Sequence, residues 1–450
     1  MSGADLPEIA AGVIKEALEL GATDAECTIA EGEEFDANVR LRELETLKQA
    51  RSRGAGIRVL IGKRTGSSHT SDLTREGIRT MVRSAIELAG VTTEDPHAGL
   101  PDVSELGSLP GDLALHCDDV ATLDTAHKIE LARRAEDASL RFDPRIVNSE
   151  GASFDSHLGR RVFANSRGFA GEYRSSYCSL MAVPVAQQGA SMERDSWYSM
   201  SRSMRGLDSP EETGAMAARR AIRRLGSVKV GTCKVPVVFD PRMARSLVEN
   251  IFEAVHGAAI YRHESFLDGK LGRKVASEKL TVVDDGTIPG LFGTSPFDDE
   301  GVPTRRTVVI ENGVLKSYLL NTYAARKLGM RTTGNAARGL AGNAGIGHGN
   351  LFIGKGQTSP EQIIAGIQEG FYVVELMGFG VNIVTGDYSR GAAGMWIRGG
   401  EFAFPVSEIT IAGNLERMLL DVEAVGSDLE FRSSAAAPTL LVSEMTVGGR

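Results

Sequence analysis

The sequence predicts an α+β fold, with N-terminal helices packed on an antiparallel sheet and a C-terminal antiparallel, β-rich, barrel-like domain. Three observations carry that prediction. The first part reads as a meander of short strands flanked by amphipathic helices. The second part is Gly-rich and strand-rich, and Asn312-Gly313 between two apolar runs is the strongest short hairpin signal in the chain. Between them, residues 226–233 follow an arginine-rich helix and form the expected junction, giving domains over 1–228 and 229–450.

In chain order, helix periodicity covers 6–20 and Gly21 ends it. Strands are expected over 25–30, 35–41, 47–53, 56–61 and 66–70, then a helix over 73–88. Residues 91–119 include Pro96, Pro101 and Pro110 among Gly and Asp, so a long connection is expected. A helix over 122–140 precedes strands across 146–202, with turn signals at Asn148 and Asn165. A further helix covers 211–225. The second domain opens with a strand over 234–239. Later strands are expected over 305–311, 314–320, 371–377, 381–385, 395–398 and 401–405, with Gly399-Gly400 as a second tight turn.

With 450 residues, 42% of them hydrophobic and 24% charged, the chain can bury a substantial core. A net charge of −9 gives no general attraction to nucleic acid or anionic lipid. The best candidate basic patch, Arg219, Arg220, Arg223 and Arg224, lies in the last turns of its helix and reads as a solvated end complementing the dipole. Cys27, Cys117, Cys178 and Cys233 are widely spaced, as reduced thiols are. Asp5 and Glu8 stand where a secretory signal would be basic, and no window approaches the ~18 apolar residues of a membrane span. The expected location is cytoplasmic.

The most informative segment is the helix from Asp240-Pro241 to His256-Gly257. Asp240 is read as its N-cap, Pro241 as its first residue and Gly257 as a left-handed stop. Met243, Leu247, Ile251 and Val255 form its apolar stripe, with Ala244, Val248 and Phe252 beside it. The polar face carries Glu249, Glu253 and His256. A zinc-protease helix needs two histidines four apart and a glutamate; here the pair four apart is two glutamates. Glu253, His256 and His263 are therefore weak catalytic candidates, and no metal ligands are assigned. Glu94 to His97 contains Pro96 and cannot supply a second Glu-x-x-His pair. His263-Glu264 fails as a zinc motif because the second histidine position is Leu267. His348 reads as a turn residue among glycines, and Asp298-Asp299-Glu300 as a solvated turn. Residues 334–349 lack a phosphate-loop pattern, and residues 386–391 lack the flanking glycines of a nucleophile elbow, reading as a loop between strands.

Several blocks resemble the TldD/PmbA family. They are Tyr261-Arg262 with Ser265-Phe266-Leu267-Asp268, Thr294-Ser295-Pro296-Phe297-Asp298 with Glu300-Gly301-Val302, and residues 323–329. The runs from Gly386 to Gly394 and from Pro405 to Leu415 resemble the PmbA branch, also called TldE. The resemblance implies a heterodimeric peptidase acting on small or unfolded peptides, its zinc held by a TldD-like partner through a His-Glu-x-x-x-His helix and a distant cysteine. Here the corresponding helix has no histidine pair, and Ser427 stands where that thiolate would be. A serine hydroxyl is a poor zinc ligand at neutral pH. The implication is a non-metal subunit: no cofactor in this chain and zinc on the partner. Tyr261, Arg262, Asp387, Tyr388, Ser389 and Arg390 are its expected substrate or interface residues. Two alternatives stand beside it: a non-proteolytic regulator of the gyrase-modulator type, and a self-sufficient homodimeric hydrolase using Glu253, His256 and His263.

Overall fold

Apolar residues alternate along the N-terminal strands, odd-numbered in the first two long ones and even-numbered in the next two, and that alternation builds the first half of the molecule. The computed structural model describes residues 5–449. Seven antiparallel strands run in the order Arg64–Thr70, Glu43–Ile61, Asp24–Arg40, Ile146–Asn165, Ala170–Gln188 and Ser191–Arg194, with Trp197–Ser201 also paired to Ala170–Gln188. Helices Leu6–Glu19 and Arg75–Val91 cover Cys27, Ile29, Ile57 and Val59. Helices Thr125–Arg141 and Pro210–Ile222 cover the neighbouring stretch around Phe35, Phe154 and Leu180. Their starts are fixed locally. Thr74 and Asp124 each accept an N–H from the first turn, and Ser209 and Glu212 form a reciprocal capping box.

The strands expected over 25–30 and 35–41 are one continuous strand, Asp24–Arg40, and those over 47–53 and 56–61 merge into Glu43–Ile61. Glu31-Gly32-Glu33-Glu34 looks like a break by composition. It stays extended because the Asp24–Arg40 strand is paired along both edges. Two further expectations change. The strand over 314–320 shrinks to Val314–Leu315, and residues 381–385 form a turn capped by the Asn382 side chain, whose Oδ1 accepts the Val384 N–H at 2.9 Å.

In the second half five strands close into a barrel: Cys233–Phe239, Glu369–Met377, Asp387–Arg398, Glu401–Asn414 and Leu440–Gly448. The ring closes where Glu401–Asn414 pairs with Leu440–Gly448, and every pairing is antiparallel except that of Cys233–Phe239 with Glu369–Met377. Residues 386–391, expected as a loop, thus begin a barrel strand. A second sheet centres on Val282–Asp285, flanked by Arg306–Glu311 and Asn350–Ile353. Helix Pro241–Val255 is packed against both, its Leu247, Ile251 and Val255 buried with barrel residue Phe371 and sheet residues Val282 and Leu351. Met243 and Phe252 are only partly buried at the rim of that stripe.

The two halves interlock. Segment 338–340 lies across the face of the N-terminal sheet that the helices leave open, so close that a Cβ on Gly56 would stand 1.9 Å from the Leu340 carbonyl oxygen. Phe163 and Phe169 from one half pack with Phe297 from the other. The connection 91–119 holds only a short turn, Val103–Glu105, and a five-residue helix, Asp118–Thr122. It runs along the second half, donating Gly107 N–H to Gly301 and Leu109 N–H to Pro296. Among the described residues no helix is long and apolar enough to cross a membrane.

Candidate functional site

A cleft of about 350 Å³ opens between the halves where helix Pro241–Val255 ends. His256 leaves the helix with extended backbone, and its Nδ1 accepts the Ala258 N–H at 3.2 Å, so it caps the next helix, Gly257–Tyr261. Gly257 is not the left-handed stop the sequence predicts. It is needed for room: a Cβ there would lie 2.6 Å from Leu320 and 2.9 Å from Ala324. Burial pushes the His256 pKa down, opposed by a backbone hydrogen bond to Ile346, so the ring favours its neutral form.

Tyr261, Arg262 and Tyr323 line one wall. The tyrosine rings meet edge-on at 5.9 Å, and the Lys327 ammonium lies 6.0 and 5.6 Å from their centres. Tyr323 donates its hydroxyl to Asp95 at 2.8 Å across the two halves. Burial, then the hydrogen bond and charge of Asp95, push its phenol up to about 12. The opposite wall includes Thr65, on the sheet's edge strand, and Arg58.

Beneath lies a buried charge cluster. Glu26 Oε1 accepts from Arg58 at 2.5 Å and from Arg338. Burial alone would raise the Glu26 pKa; the two guanidinium groups outweigh it and hold the carboxyl below its ordinary value. Asp298 and Glu300 are 5% and 3% exposed, which corrects the solvated-turn expectation. Backbone amides satisfy them: Asp298 accepts from Glu300, Val302 and Ala336, and Glu300 from Thr322. Burial raises the pKa of both.

A smaller polar cavity of about 130 Å³ adjoins, lined by Asp284, Asn335 and His348 among others. Asp284 accepts from Asn335 at 2.7 Å, and burial pushes its carboxyl up to about 6 against that bond. His348 is no free turn residue. Its Nε2 lies 3.4 Å from Glu249, its ring meets Phe252 edge-on at 4.9 Å, and its side chain is 12% exposed. Burial would lower its pKa, but Glu249 raises it, and His348 in turn lowers that of Glu249. The face of the helix that would carry zinc ligands therefore holds an ion pair between half-exposed Glu249 and largely buried His348. Glu253 beside it is raised by burial and then by Glu249. Among the described residues no three His, Cys, Asp or Glu side chains are grouped so as to hold a metal, and the donor set does not fit zinc.

Of the sequence candidates, His256, Tyr261 and Arg262 line the cleft and Glu253 and His263 do not. His263 is largely exposed and its Nδ1 is 2.6 Å from Asp268. Residues 387–390 belong to the barrel. Tyr388 is in its core, burial pushing its phenol up to about 12, while Asp387 accepts from Thr385 at 2.6 Å and Arg390 donates to the Met377 carbonyl at 3.3 Å. Ser389 has no histidine hydrogen-bonded to it among the described residues; its N–H donates to Gly380 at 2.6 Å. Ser427 is exposed. Sequence reasoning missed Glu26, Arg58, Asp284 and Arg338. Glu26 and Arg58 lie on the even-numbered face of their strands, which reads as solvent-facing until the second half covers it.

This two-lobed scaffold, with a closed barrel and an interlobe cleft, is that of a metallopeptidase-related family. The chain belongs to the PmbA/TldD family: residues 25–89, 118–225 and 232–449 match the PmbA/TldA metallopeptidase domain 1, central domain and C-terminal domain. The metalloprotease PmbA of Escherichia coli O157:H7 is 39% identical over 97% of this chain and 95% of its own length. A solved structure from Bacteroides thetaiotaomicron, described as a proposed modulator of DNA gyrase, superposes with a TM-score of 0.92 at 29% identity over the whole of both chains. TldE from Thermococcus kodakarensis shares the fold, with a TM-score of 0.89 at 23% identity over 98% of this chain and all of that one.

Proposed function

We propose that this chain is the PmbA/TldE-type subunit of a heterodimeric metallopeptidase acting on small or unfolded peptides. A TldD-like partner carries the zinc and the general base, and this chain completes the peptide-binding chamber. One observation carries the reading. The helix face that bears ligands in a zinc protease here bears Glu249, ion-paired with His348, and Glu253, and among the described residues no three His, Cys, Asp or Glu side chains are grouped to hold the metal. Membership of a metallopeptidase family by a chain with such a helix is what a division of labour between subunits requires. The interlobe cleft supplies the rest. Thr65, on the sheet's edge strand with its carbonyl taken by the Thr92 hydroxyl at 2.9 Å, shares the cleft with Tyr261 and Arg262, and an extended peptide would lie between them.

The test is peptide hydrolysis by the co-purified pair, by the TldD-like chain alone and by this chain alone. Only the pair should be fully active. A partner that cleaves equally well by itself contradicts the chamber role and leaves the regulatory alternative; hydrolysis by the lone chain leaves the homodimeric one.

A further inference from the structure

The arginine-rich helix end, read from sequence as a solvated terminus, leaves Arg219 exposed but turns Arg220 inward and half-buries Arg223. Arg220 is 5% exposed, and with Arg219 and Arg223 it lines a second interlobe cavity of about 380 Å³, at the opposite end of helix Pro241–Val255 from the cleft. Arg242, Arg245 and Arg432 come from the other half of the molecule. Trp197 organises them: the guanidinium carbons of Arg432, Arg220 and Arg242 lie 4.5, 5.5 and 5.8 Å from its ring centre.

Six arginines line this space against three carboxylates, with Asp195 behind the wall as a fourth. Those carboxylates are largely committed elsewhere. Asp240 caps helix Pro241–Val255 through the Arg242 N–H at 2.8 Å and stands 3.6 Å from Arg220. Asp428 accepts both the N–H and hydroxyl of Thr439, and Glu430 pairs with Arg432 at 2.8 Å. Asp195 Oδ2 is 3.3 Å from Arg220 Nε, yet their alignment makes no hydrogen bond.

Two guanidinium groups are consequently left short. Nε and Nη2 of Arg220, and the same atoms of Arg223, are buried without any hydrogen-bond partner. Such orphaned cationic donors are costly, and native proteins rarely keep them without a reason. Burial, then the charge of Arg220, lower the pKa of Arg223, with Asp240 and Asp195 opposing only in part. The remaining wall is apolar, from Trp197, Met216, Met243 and Ala435 to Ala437. The volume is that of a small-ligand site.

We infer that this cavity binds a small ligand carrying an oxyanion, carboxylate or phosphate, on an apolar body, with Arg220 and Arg223 as the groups that receive the charge. A planar guanidinium fork suits either oxyanion. The site is independent of the peptidase reading, since none of the cleft residues lines it.

The experiment is calorimetric titration of the full chain with inorganic phosphate and, separately, with N-acetylphenylalanine, beside thermal melts without ligand. Saturable binding of at least one probe is expected: phosphate alone assigns a phosphoryl group, and the acyl amino acid a carboxylate. Arg223→Gln should weaken that binding by about tenfold or more while leaving the ligand-free melting temperature unchanged or higher. Arg223→Lys, which keeps the charge but not the fork, should fall between. Absence of saturable binding by either probe overturns the inference. So does undiminished binding by folded Arg223→Gln, or a sharp loss of its ligand-free stability, which would mark Arg223 as a structural partner instead.

Discussion

Two buried arginine clusters join the halves of this molecule, and they differ in one respect. Under the cleft, Arg58 and Arg338 converge on the single carboxylate Glu26, all three nearly sealed from solvent. Beside Trp197, Arg220 and Arg223 each keep two partnerless donors where Arg58 and Arg338 keep one; Arg220 shares Asp195 and Asp240, and Arg223 has no ion pair among the described residues. Burial costs a guanidinium its hydration in both places. Where the chain supplies the counter-charge the cluster works as a clamp between lobes; at Arg223, where it does not, the deficit points to something bound.

The largest expected effect breaks the clamp. Glu26→Gln leaves two buried guanidinium groups facing each other without a carboxylate, and should destabilise by about 3–5 kcal/mol, measured by chemical denaturation. The sign with pH follows. Because the folded-state pKa of Glu26 is depressed, its contribution is fully present above the unfolded value near 4.5 and is lost as pH falls through the lower folded value. A native stability that does not decline there would contradict the clamp.

Asp284 has the opposite sign and makes the next largest effect. Its carboxyl rises from 3.8 to about 6, which corresponds to about 3 kcal/mol of penalty once it is ionised. The penalty is absent below the unfolded value, grows as pH rises from about 4 to about 6, and is complete at neutral pH. Asp284→Asn keeps an acceptor for Asn335 and should raise the melting temperature at pH 7 while doing little at pH 4. An equal change at both pH values would remove burial as the cause.

Gly257→Ala places a methyl within 3 Å of Leu320 and Ala324, and should cost about 1–3 kcal/mol by overpacking, shifting the Tyr261 wall as it relaxes. Tyr323→Phe removes one hydrogen bond across the cleft and should cost about 0.5–1.5 kcal/mol; a larger loss would make Asp95 part of the clamp. Smallest of all is the ligand-free effect of Arg223→Gln, expected near zero or favourable, in contrast to the clamp arginines.

The same contrast explains what could be read from sequence. Periodicity places the five long helices to within a few residues, with Asp240 read as the cap of one, because such patterns and caps act on their own first turns; the short helices Thr322–Leu328, Pro360–Ala365 and Leu415–Leu420 carry too little periodicity to be read. The pairing of Gly399-Gly400 and Asn312-Gly313 with hairpins was equally local. Barrel closure was not, since the pairing of Thr410 with Gly448 depends on strands brought together by the whole second half. Nor were the site's charges. Asp298 and Glu300 look solvated by composition, His348 looks like a loop residue, and the arginines of 219–224 look like a helix end. Asp298, Glu300 and Arg220 are buried, and His348, Arg223 and Arg224 half-buried, by segments distant in sequence, and residue type alone carries no record of that.

Metal stoichiometry bears on the central claim most directly. The purified chain, incubated with zinc and dialysed, should retain none in stoichiometric amount, whereas its complex with a TldD-like partner should retain zinc and lose peptide hydrolysis when it is chelated. Stoichiometric zinc held by this chain alone, and abolished by Glu253→Gln or His256→Ala, would contradict the account.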